Sequence, residues 1–271
     1  PGSNYVVRQE TQDPIDRNLD QQPYEGTEGF NSVGEIFSDD HNPGRKRPFA
    51  IREVIGAVLD QDVGAIERWE GLEGGETSVV YQGQLGGCPV TCIGIESKSV
   101  ARRGHQPIDG PEAWTSGTLF PNSSRKVARA IHASSGVCPV VVLANLSGFD
   151  GSPESMRTRQ LEFGAEIGRA VVNFDGPIIF CVISRYHGGA YVVFSQALND
   201  GLEAMALEGS FASVIGGGPA AAVVFPRIVR QRVQADSRVQ EALAAVRSTQ
   251  PHSPVEEANY ESVHRQVEAE V

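Results

Sequence analysis

Cysteine is scarce in this sequence, and several familiar patterns are missing from it. Four cysteines occur in 271 residues, with no CxxC pair and no matched histidines, which excludes a zinc-finger module and a disulfide-rich secreted domain. No apolar run reaches the length that crosses a bilayer, and no signal peptide is visible. GxSxG, HExxH and P-loop motifs are also missing, so serine hydrolase, zinc protease and nucleotide-cleaving functions lack support.

Basic residues are also outnumbered by acidic residues. The 23 Lys and Arg residues face 34 Asp and Glu residues, and the formal net charge is −11. We therefore expect neither nucleic acid nor a membrane as a partner. The cysteines lie within or beside predicted strands, at Cys88, Cys92, Cys138 and Cys181. They predict buried, reduced thiols in a cytoplasmic protein, and no metal site.

Two related stretches stand out in what the sequence does contain. Pro139–Gly151 and Asp175–Tyr191 each carry an apolar, largely β-branched run that ends in a glycine-bearing loop. Such runs are typical of buried strands in a parallel sheet. Each of the two predicted strands is therefore followed by a loop that contains glycine.

The second loop has the composition of an anion site made from backbone. The pair Gly188-Gly189 lets the backbone approach a ligand closely. If a helix spans Ala190–Ser195, its first N–H groups have no partner within the helix and can point at a negative oxygen. An oxyanion hole can be built in this way without a reactive side chain. Gly148–Gly151 can form a second rim, and the competing interpretation of each loop is a simple tight turn.

Periodicity predicts alternating strands and helices, hence an α/β fold with right-handed parallel crossovers. The predicted helices are Ile51–Leu59, a helix from Asn122 or Ser123 to about Gly136, and Glu154–Val172. The predicted strands are Thr77–Tyr81, Pro89–Ile95, Pro139–Ala144, Pro177–Ser184, Leu202–Leu207 and Phe211–Ile215. The segment between Lys98 and Gly117 is predicted to be a surface loop.

Composition divides the chain into three parts. Residues 1–47 are polar and turn-rich, and predict an extended or partly disordered linker, whose first three residues resemble the remnant of an expression tag. Residues 48–228 carry the predicted core, in which Gly216-Gly217-Gly218-Pro219 opens an alanine-rich helix. Residues 229–271 are charged and predict a helical extension, with a break at Pro251–Pro254.

Several ordered blocks carry a resemblance to a known family. HGGAYVVFS at 187–195 and six further blocks are similar to the C-terminal half of the biotin-dependent acyl-CoA carboxyltransferases, a branch of the crotonase-like superfamily. The six are DPIDR (13–17), PFAIREVIGAVLD (48–60), GQLGGCPVTCIGIES (83–97), LFPNSSRKVARAI (119–131), ANLSGFDGS (144–152) and FASVIGGGPAAAVVF (211–225). The resemblance implies a crotonase-like (ClpP/crotonase) ββα superhelix with a C-terminal helical tail.

The resemblance also implies an activity and its partners. Carbon dioxide would move from carboxybiotin to the α-carbon of an acyl-CoA, and this chain would supply the biotin side of the site. Biotin would arrive on a biotin carboxyl carrier domain that biotin carboxylase has charged. The coenzyme A-binding N-terminal half would lie outside this chain and face it across a homo-oligomer interface. The net charge of −11 gives no help toward the coenzyme A phosphates, so local Arg or Lys would be needed.

Matched by position, Gly189 and Ala190 would donate their N–H groups to the ureido oxygen of biotin. Val192 would shape the acyl pocket. By its own chemistry Arg185 is a candidate contact for a carboxylate or phosphate, and the competing interpretation is a side chain that faces solvent. His187 departs from the family, since eukaryotic acetyl-CoA carboxylases have Arg there and propionyl-type enzymes have an aromatic residue, so the acyl preference stays open. The residues implied to bind the cofactor are Gly148, Phe149, Gly151, His187, Gly188, Tyr191, Gly216 and Gly217.

Two other functions remain open. A stand-alone crotonase-like acyl-CoA hydratase, isomerase or decarboxylase needs a carboxylate acid or base near the glycine loops, and Asp150 and Glu154 are the candidates. A catalytically silent crotonase-like assembly domain would use the loop at Gly188 for packing alone. His187 is either a general base or a partly buried polar contact.

Overall fold

A computed structural model describes residues 8–108, 110–214, 225–248 and 254–270. The chain divides into two units, Pro1–Val214 and Ile215–Val271. The first unit contains the sheet and both glycine loops, and the second contains the helices of the tail. The boundary expected between residues 228 and 229 stays a prediction.

A mixed sheet forms the centre of the first unit. In chain order the strands are β1 (Ile66–Glu67), β2 (Ser78–Leu85), β3 (Cys88–Ile95), β4 (Val100–Ala101), β5 (Ala113–Trp114), β6 (Thr118–Leu119), β7 (Val140–Leu146), β8 (Gly148–Phe149), β9 (Ile178–His187), β10 (Leu202–Ala206) and β11 (Phe211–Ser213). The central sheet has the order β1-β2-β3-β7-β9-β10, and β11 pairs with the end of β9. The pairs β4/β5 and β6/β8 form two small sheets beside it.

The pairing pattern confirms the predicted order of connections. β2 and β3 are antiparallel and are joined by a turn in which Gly86 and Gly87 have positive φ, as the predicted hairpin requires. β3, β7 and β9 are parallel neighbours. Because parallel strands end at the same edge of a sheet, the carboxyl ends of β7 and β9 deliver their loops side by side.

Helices cover both faces of the sheet. The helices of the first unit are α1 (Val33–Phe37), α2 (Ile51–Val58), α3 (Pro121–Ser134), α4 (Pro153–Arg157), α5 (Gln160–Val172) and α6 (Gly189–Val193). On one face, α3 and α5 pack Val127, Ile131 and Ile167 against the buried side chains of β7 and β9. On the other face, α2 packs Ile51 and Ile55 against β3 and β7.

The segment before residue 48 differs from its prediction. The described part, residues 8–47, contains α1, and its side chains Tyr24, Phe30 and Ile36 are buried in the same cluster as α2. Arg45 is also buried and its guanidinium donates to the carbonyls of Ile183 and Glu208. The apolar residues of this segment are too widely spaced to show a period, so the sequence pattern indicated a linker where the fold has a covering layer.

The long helix predicted at Glu154–Val172 is broken in two. α4 ends at Arg157, and Arg159 adopts a left-handed conformation with φ of +70° before α5 begins. The segment contains no proline or glycine at the break, so sequence offered no signal for it. Two expected core positions, Leu161 and Ala165, are therefore exposed, whereas Ile167 and Val171 are buried as predicted.

The second unit confirms the helical tail. It contains α7 (Pro226–Ala235), α8 (Ser237–Ser248) and α9 (Pro254–Glu270). Val233, Val239 and Val267 form a small buried cluster among these helices. In the described parts of the chain, no helix combines the length and apolar character that a membrane crossing needs.

Lys126 is a buried basic residue on α3, the helix that packs on one face of the sheet. Lys126 on α3 is 1% exposed, and its Nζ donates a 2.7 Å hydrogen bond to the Ser78 carbonyl of β2. Burial disfavours the charged amine and lowers the pKa of Lys126 from 10.5 to about 8. The unfolded chain therefore binds more protons than the folded chain between these two pH values.

We predict that replacing Lys126 by Met removes a pH-dependent part of the stability. Because the folded-state pKa is depressed, the free energy of unfolding contributed by Lys126 rises as pH increases from about 8 toward the unfolded value of 10.5. Urea unfolding of wild type and Lys126→Met over this range measures the difference. Lys46→Met, at an exposed lysine, is the control. A difference between wild type and Lys126→Met that does not change with pH would contradict the assignment.

Candidate functional site

The second glycine loop is a sharp junction between a strand and a helix. β9 ends at His187 and α6 begins at Gly189, two residues later. Gly188 between them has φ of +66° and ψ of −146°, a conformation open only to glycine at low cost. The helix expected at Ala190–Ser195 is present but is shorter and begins one residue earlier, at Gly189–Val193.

The two glycine loops touch each other. A Cβ atom on Gly188 would lie 3.3 Å from the Cα of Gly148, and Gly148 itself has φ of +133°. A Cβ on Gly148 would in turn lie 3.7 Å from the His187 carbonyl oxygen. Sequence predicted each loop separately, and the fold brings them into one rim at the edge of the sheet.

The first turn of α6 presents backbone donors. The N–H of Gly188 is bonded to the Val214 carbonyl at 3.0 Å, and the N–H of Tyr191 to the Gly188 carbonyl at 3.0 Å. Within the described residues, the intervening N–H groups of Gly189 and Ala190 have no carbonyl partner, as expected for the first residues of a helix. Two adjacent donors are thus held in place by bonded neighbours on either side.

Phe149 forms the wall behind these donors. A Cβ on Gly189 would lie 2.7 Å from Cε2 of the Phe149 ring and closer still to Cδ2. The same ring packs on Gly164 of α5, where a Cβ would lie 3.0 Å from Cε2. The three residues form one packed stack, and both glycines are needed because the ring occupies the space of a side chain.

The polar side chains near the loop have partners. Nδ1 of His187 lies 2.9 Å from Oγ of Ser213 on β11, the strand that pairs with the end of β9. Arg185 is half-buried and donates a 3.4 Å bond to the Arg45 carbonyl. The polar-contact interpretation of His187 fits this arrangement. Sequence assigned Ser213 only to a strand, and no local motif marked it as a neighbour of His187.

Two predicted site residues on α6 are accessible. Tyr191 is 42% exposed and Val192 is 65% exposed. The Tyr186 hydroxyl donates a 3.2 Å hydrogen bond to the Tyr191 carbonyl and so fixes the backbone there. Burial raises the pKa of the Tyr186 hydroxyl to about 12. Gly151 of the other loop is exposed. Gly216 and Gly217 lie outside the described residues.

The carboxylates that a hydratase or isomerase would use are occupied. Glu154 makes a bidentate ion pair with Arg102, at 2.6 and 2.9 Å. Asp150 accepts a 3.2 Å bond from the Ser152 N–H and a second from its hydroxyl. Both groups are therefore structural acceptors that hold α4 and its N-terminal turn.

The cysteines Cys92 and Cys138 are buried free thiols, and Cys88 and Cys181 are half-buried free thiols.

We predict that Gly189→Ala destabilises the first unit through the Phe149 ring. Gly189 has an ordinary negative φ, so the cost comes from overpacking, about 1–3 kcal/mol in the free energy of unfolding. Phe149→Leu in the same chain should recover part of that loss, because the smaller side chain vacates the space. Chemical denaturation of the two single variants and the double variant measures the coupling.

Gly56→Ala serves as the control for this cycle. A Cβ there would meet nothing within 4 Å, and the exposed helical position favours alanine. Its free energy of unfolding should therefore be unchanged or slightly higher. Purely additive effects of Gly189→Ala and Phe149→Leu would show that the ring does not limit the size of residue 189.

Comparison with known proteins places this geometry in a family. The Carboxyl transferase domain family model matches residues 5–269. Acetyl-CoA carboxylase of Saccharomyces cerevisiae is 32% identical over 133 residues, 45% of this chain and 6% of that protein. Its mitochondrial counterpart in the same species is 27% identical over 180 residues, 59% of this chain and 8% of that protein. Acetyl-CoA carboxylase of Schizosaccharomyces pombe is 28% identical over 151 residues, 52% of this chain and 7% of that protein.

A solved structure supports the fold. Transcarboxylase 12S, crystallised as a hexamer with methylmalonyl-coenzyme A and methylmalonic acid bound, matches with a TM-score of 0.55 and 22% identity. The match covers 67% of this chain and 32% of the transcarboxylase chain. The expected crotonase-like α/β fold is confirmed. The segments that match this chain make up less than a tenth of the length of the three acetyl-CoA carboxylases. With nearly its whole length matched by the family model, the chain belongs to the carboxyl transferase domain family.

Proposed function

We propose that this chain is the biotin-side half of the carboxyltransferase site of a biotin-dependent acyl-CoA carboxylase. The observation that carries the proposal is the pair of N–H groups at Gly189 and Ala190, which have no carbonyl partner in the part of the chain that the structure describes and lie at the contact of two glycine loops in a member of this family. The reaction moves a carboxyl group from carboxybiotin to the α-carbon of an acyl-CoA. Biotin, when bound, supplies that carboxyl group.

The residues present fit a flat, neutral ring with one oxygen that gains negative charge. Phe149 is half-buried and packs on Gly189, Tyr191 is exposed on the same helix, and Gly189 and the fully buried Ala190 supply two backbone donors. Donors fixed in advance stabilise developing charge without reorganisation. The strand β9 behind them and the Gly188–Val214 bond keep those donors in place.

The acyl preference belongs to this proposal as well. Val192 is exposed one turn along α6 from the donors, where a small apolar side chain suits a short apolar acyl group. Arg185 is engaged by the Arg45 carbonyl and His187 by Ser213, so a ligand carboxylate would have to displace those contacts. We infer an acyl-CoA of acetyl or propionyl size, without choosing between them.

The complete enzyme needs parts that other segments would supply. We propose a coenzyme A-binding half, a biotin carboxyl carrier domain and biotin carboxylase, on the same polypeptide or on separate ones, in a homo-oligomer. The relatives are many times longer than the matched segments, which supports a multidomain setting. A cytoplasmic location remains a proposal, since the family also includes a protein named as mitochondrial.

We predict that Ala190→Pro in the complete enzyme lowers carboxyl transfer about 10²–10³-fold. Proline is tolerated in the first turn of a helix and removes the N–H, which has no carbonyl partner among the described residues. Its ring also adds atoms at the fully buried Ala190, so the free energy of unfolding is measured beside transfer. The measurement is transfer in reverse, from malonyl-CoA or methylmalonyl-CoA to free biotin or biocytin. Circular dichroism verifies that the variant folds, and the 271-residue chain alone should show no transfer.

Val192→Ala is the matched variant on the same helix. It keeps both donors, so transfer should persist while the ratio of rates with malonyl-CoA and methylmalonyl-CoA changes. Wild-type turnover in a folded Ala190→Pro enzyme would overturn the assignment of the donors. No transfer by the complete, folded, oligomeric enzyme would overturn the carboxyltransferase proposal itself.

A further inference from the structure

A cavity rich in arginine lies in the first unit, apart from the glycine loops. It has a volume of about 480 Å³ and is enclosed by the β4–β5 segment, the start of α3, and α4 with the start of α5. Among the described residues it shares no lining residue with either glycine loop. The cationic side chains that line it are Arg102, Arg103, Arg125, Arg157 and Arg159, and His105 also lines it.

The lining is positive in a protein whose net charge is −11. Its described carboxylates are Glu73 and Glu154, and Glu154 is neutralised by its bidentate pair with Arg102. Arg103 and Arg125 are exposed at the rim, where Arg125 lies over the Phe163 ring at 4.9 Å. Cations are thus concentrated here against the charge of the whole chain, which makes the cavity an attractive site for an anion.

Two buried donors in the lining have no hydrogen-bond partner among the described residues. They are the indole Nε1–H of Trp114, a residue that is only 5% exposed, and the Nε–H of Arg102. The Arg102 guanidinium lies 4.5 Å over the Trp114 ring, so the two donors belong to one packed unit. A buried N–H without an acceptor is costly, and an acceptor group on a ligand would remove that cost.

The start of α3 adds a third favourable feature. Phe120, Pro121 and Asn122 line the cavity, and they form the N-terminal end of a 14-residue helix. The positive end of the helix dipole and the free N–H groups of a first turn favour negative charge. Charge, unpartnered donors and helix dipole therefore all select the same kind of ligand.

We propose that this cavity binds a small molecule that carries phosphate groups. Arg103 and Arg125 hold the phosphate oxygens at the rim, where guanidinium groups match phosphate geometry, and Trp114 donates from inside. The phosphate is either a free diphosphate or the phosphate of a nucleotide. The proposal does not depend on carboxyl transfer, because no residue of the glycine loops takes part.

Calorimetric titration of the 271-residue chain with pyrophosphate and with ADP tests the site. Both probes should bind, and raising the salt concentration should weaken them. Arg125→Gln should weaken binding about tenfold or more, because a charge-assisted hydrogen bond is lost. Trp114→Phe keeps the ring and removes only the donor, and should weaken binding several-fold.

Arg129→Gln is the matched control. Arg129 is exposed on the same helix, one turn from Arg125, and does not line this cavity. It removes the same charge without removing a hydrogen bond to the ligand, so affinity should fall by no more than about twofold. A higher affinity for ADP than for pyrophosphate would assign the site to a nucleotide. A higher affinity for pyrophosphate would assign it to a free diphosphate.

Three results would overturn the proposal. The first is absence of binding by the folded wild-type chain to either probe. The second is an equal loss of affinity in Arg125→Gln and Arg129→Gln, which would indicate general charge attraction. The third is unchanged affinity in both Trp114→Phe and Arg103→Gln, with thermal unfolding showing that both variants are folded.

Discussion

The contact between Gly148 and Gly188 is the constraint on which the rest of the site depends. The two backbones meet because β7 and β9 are adjacent and parallel, with a register shift between Ala144 and Leu146 just before the loops. A Cβ on Gly188 would lie 3.3 Å from the Cα of Gly148 and would require a small shift of that backbone, whereas a Cβ on Gly148 would make only ordinary contacts. The positive φ of both residues is a separate reason why each position favours glycine.

β9 is also fixed on the edge that faces away from β7. β10 pairs with the first half of β9 and β11 with its end, so one strand is covered by two. Arg45 reaches from the N-terminal segment to the turn between them, where it donates to the Glu208 carbonyl and to Oγ of Ser210 at 2.7 Å. The covering segment thus helps to fix the strand that carries His187 and the glycine pair.

The site that results is built mainly from backbone. His187, Arg185 and Glu154 all have structural partners, whereas the N–H groups of Gly189 and Ala190 have none within the described residues. A site of this kind tolerates changes in its side chains as long as the strand, the turn and the helix start are kept. That tolerance is consistent with a family match over residues 5–269 and with relatives that are 32% and 27% identical over 45% and 59% of this chain.

The strands β2, β3, β7, β9, β10 and β11, the glycine loops and most of the helices could be predicted from local pattern, whereas the two-residue strands β1, β4, β5, β6 and β8 were not predicted. The β-branched runs of β7 and β9, the hairpin glycines at Gly86-Gly87 and the periodic apolar residues of α2 each carry their own signal within a few residues. The ordered blocks also led, through a resemblance that covers most of the chain, to the prediction that Gly189 and Ala190 contact a ligand, and that assignment stays a prediction. These features depend on residues close together in sequence.

Other features depend on contacts between distant residues, and local pattern did not reveal them. The burial of residues 8–47 against α2, the left-handed Arg159, the Ser213 partner of His187 and the arginine-lined cavity all belong to this class. In the cavity, Arg102 directly follows β4, Trp114 lies on β5 and Arg125 lies on α3, and no spacing in the sequence marks them as neighbours. Sequence pattern reports the period of one element, whereas these sites are formed only when several elements pack together.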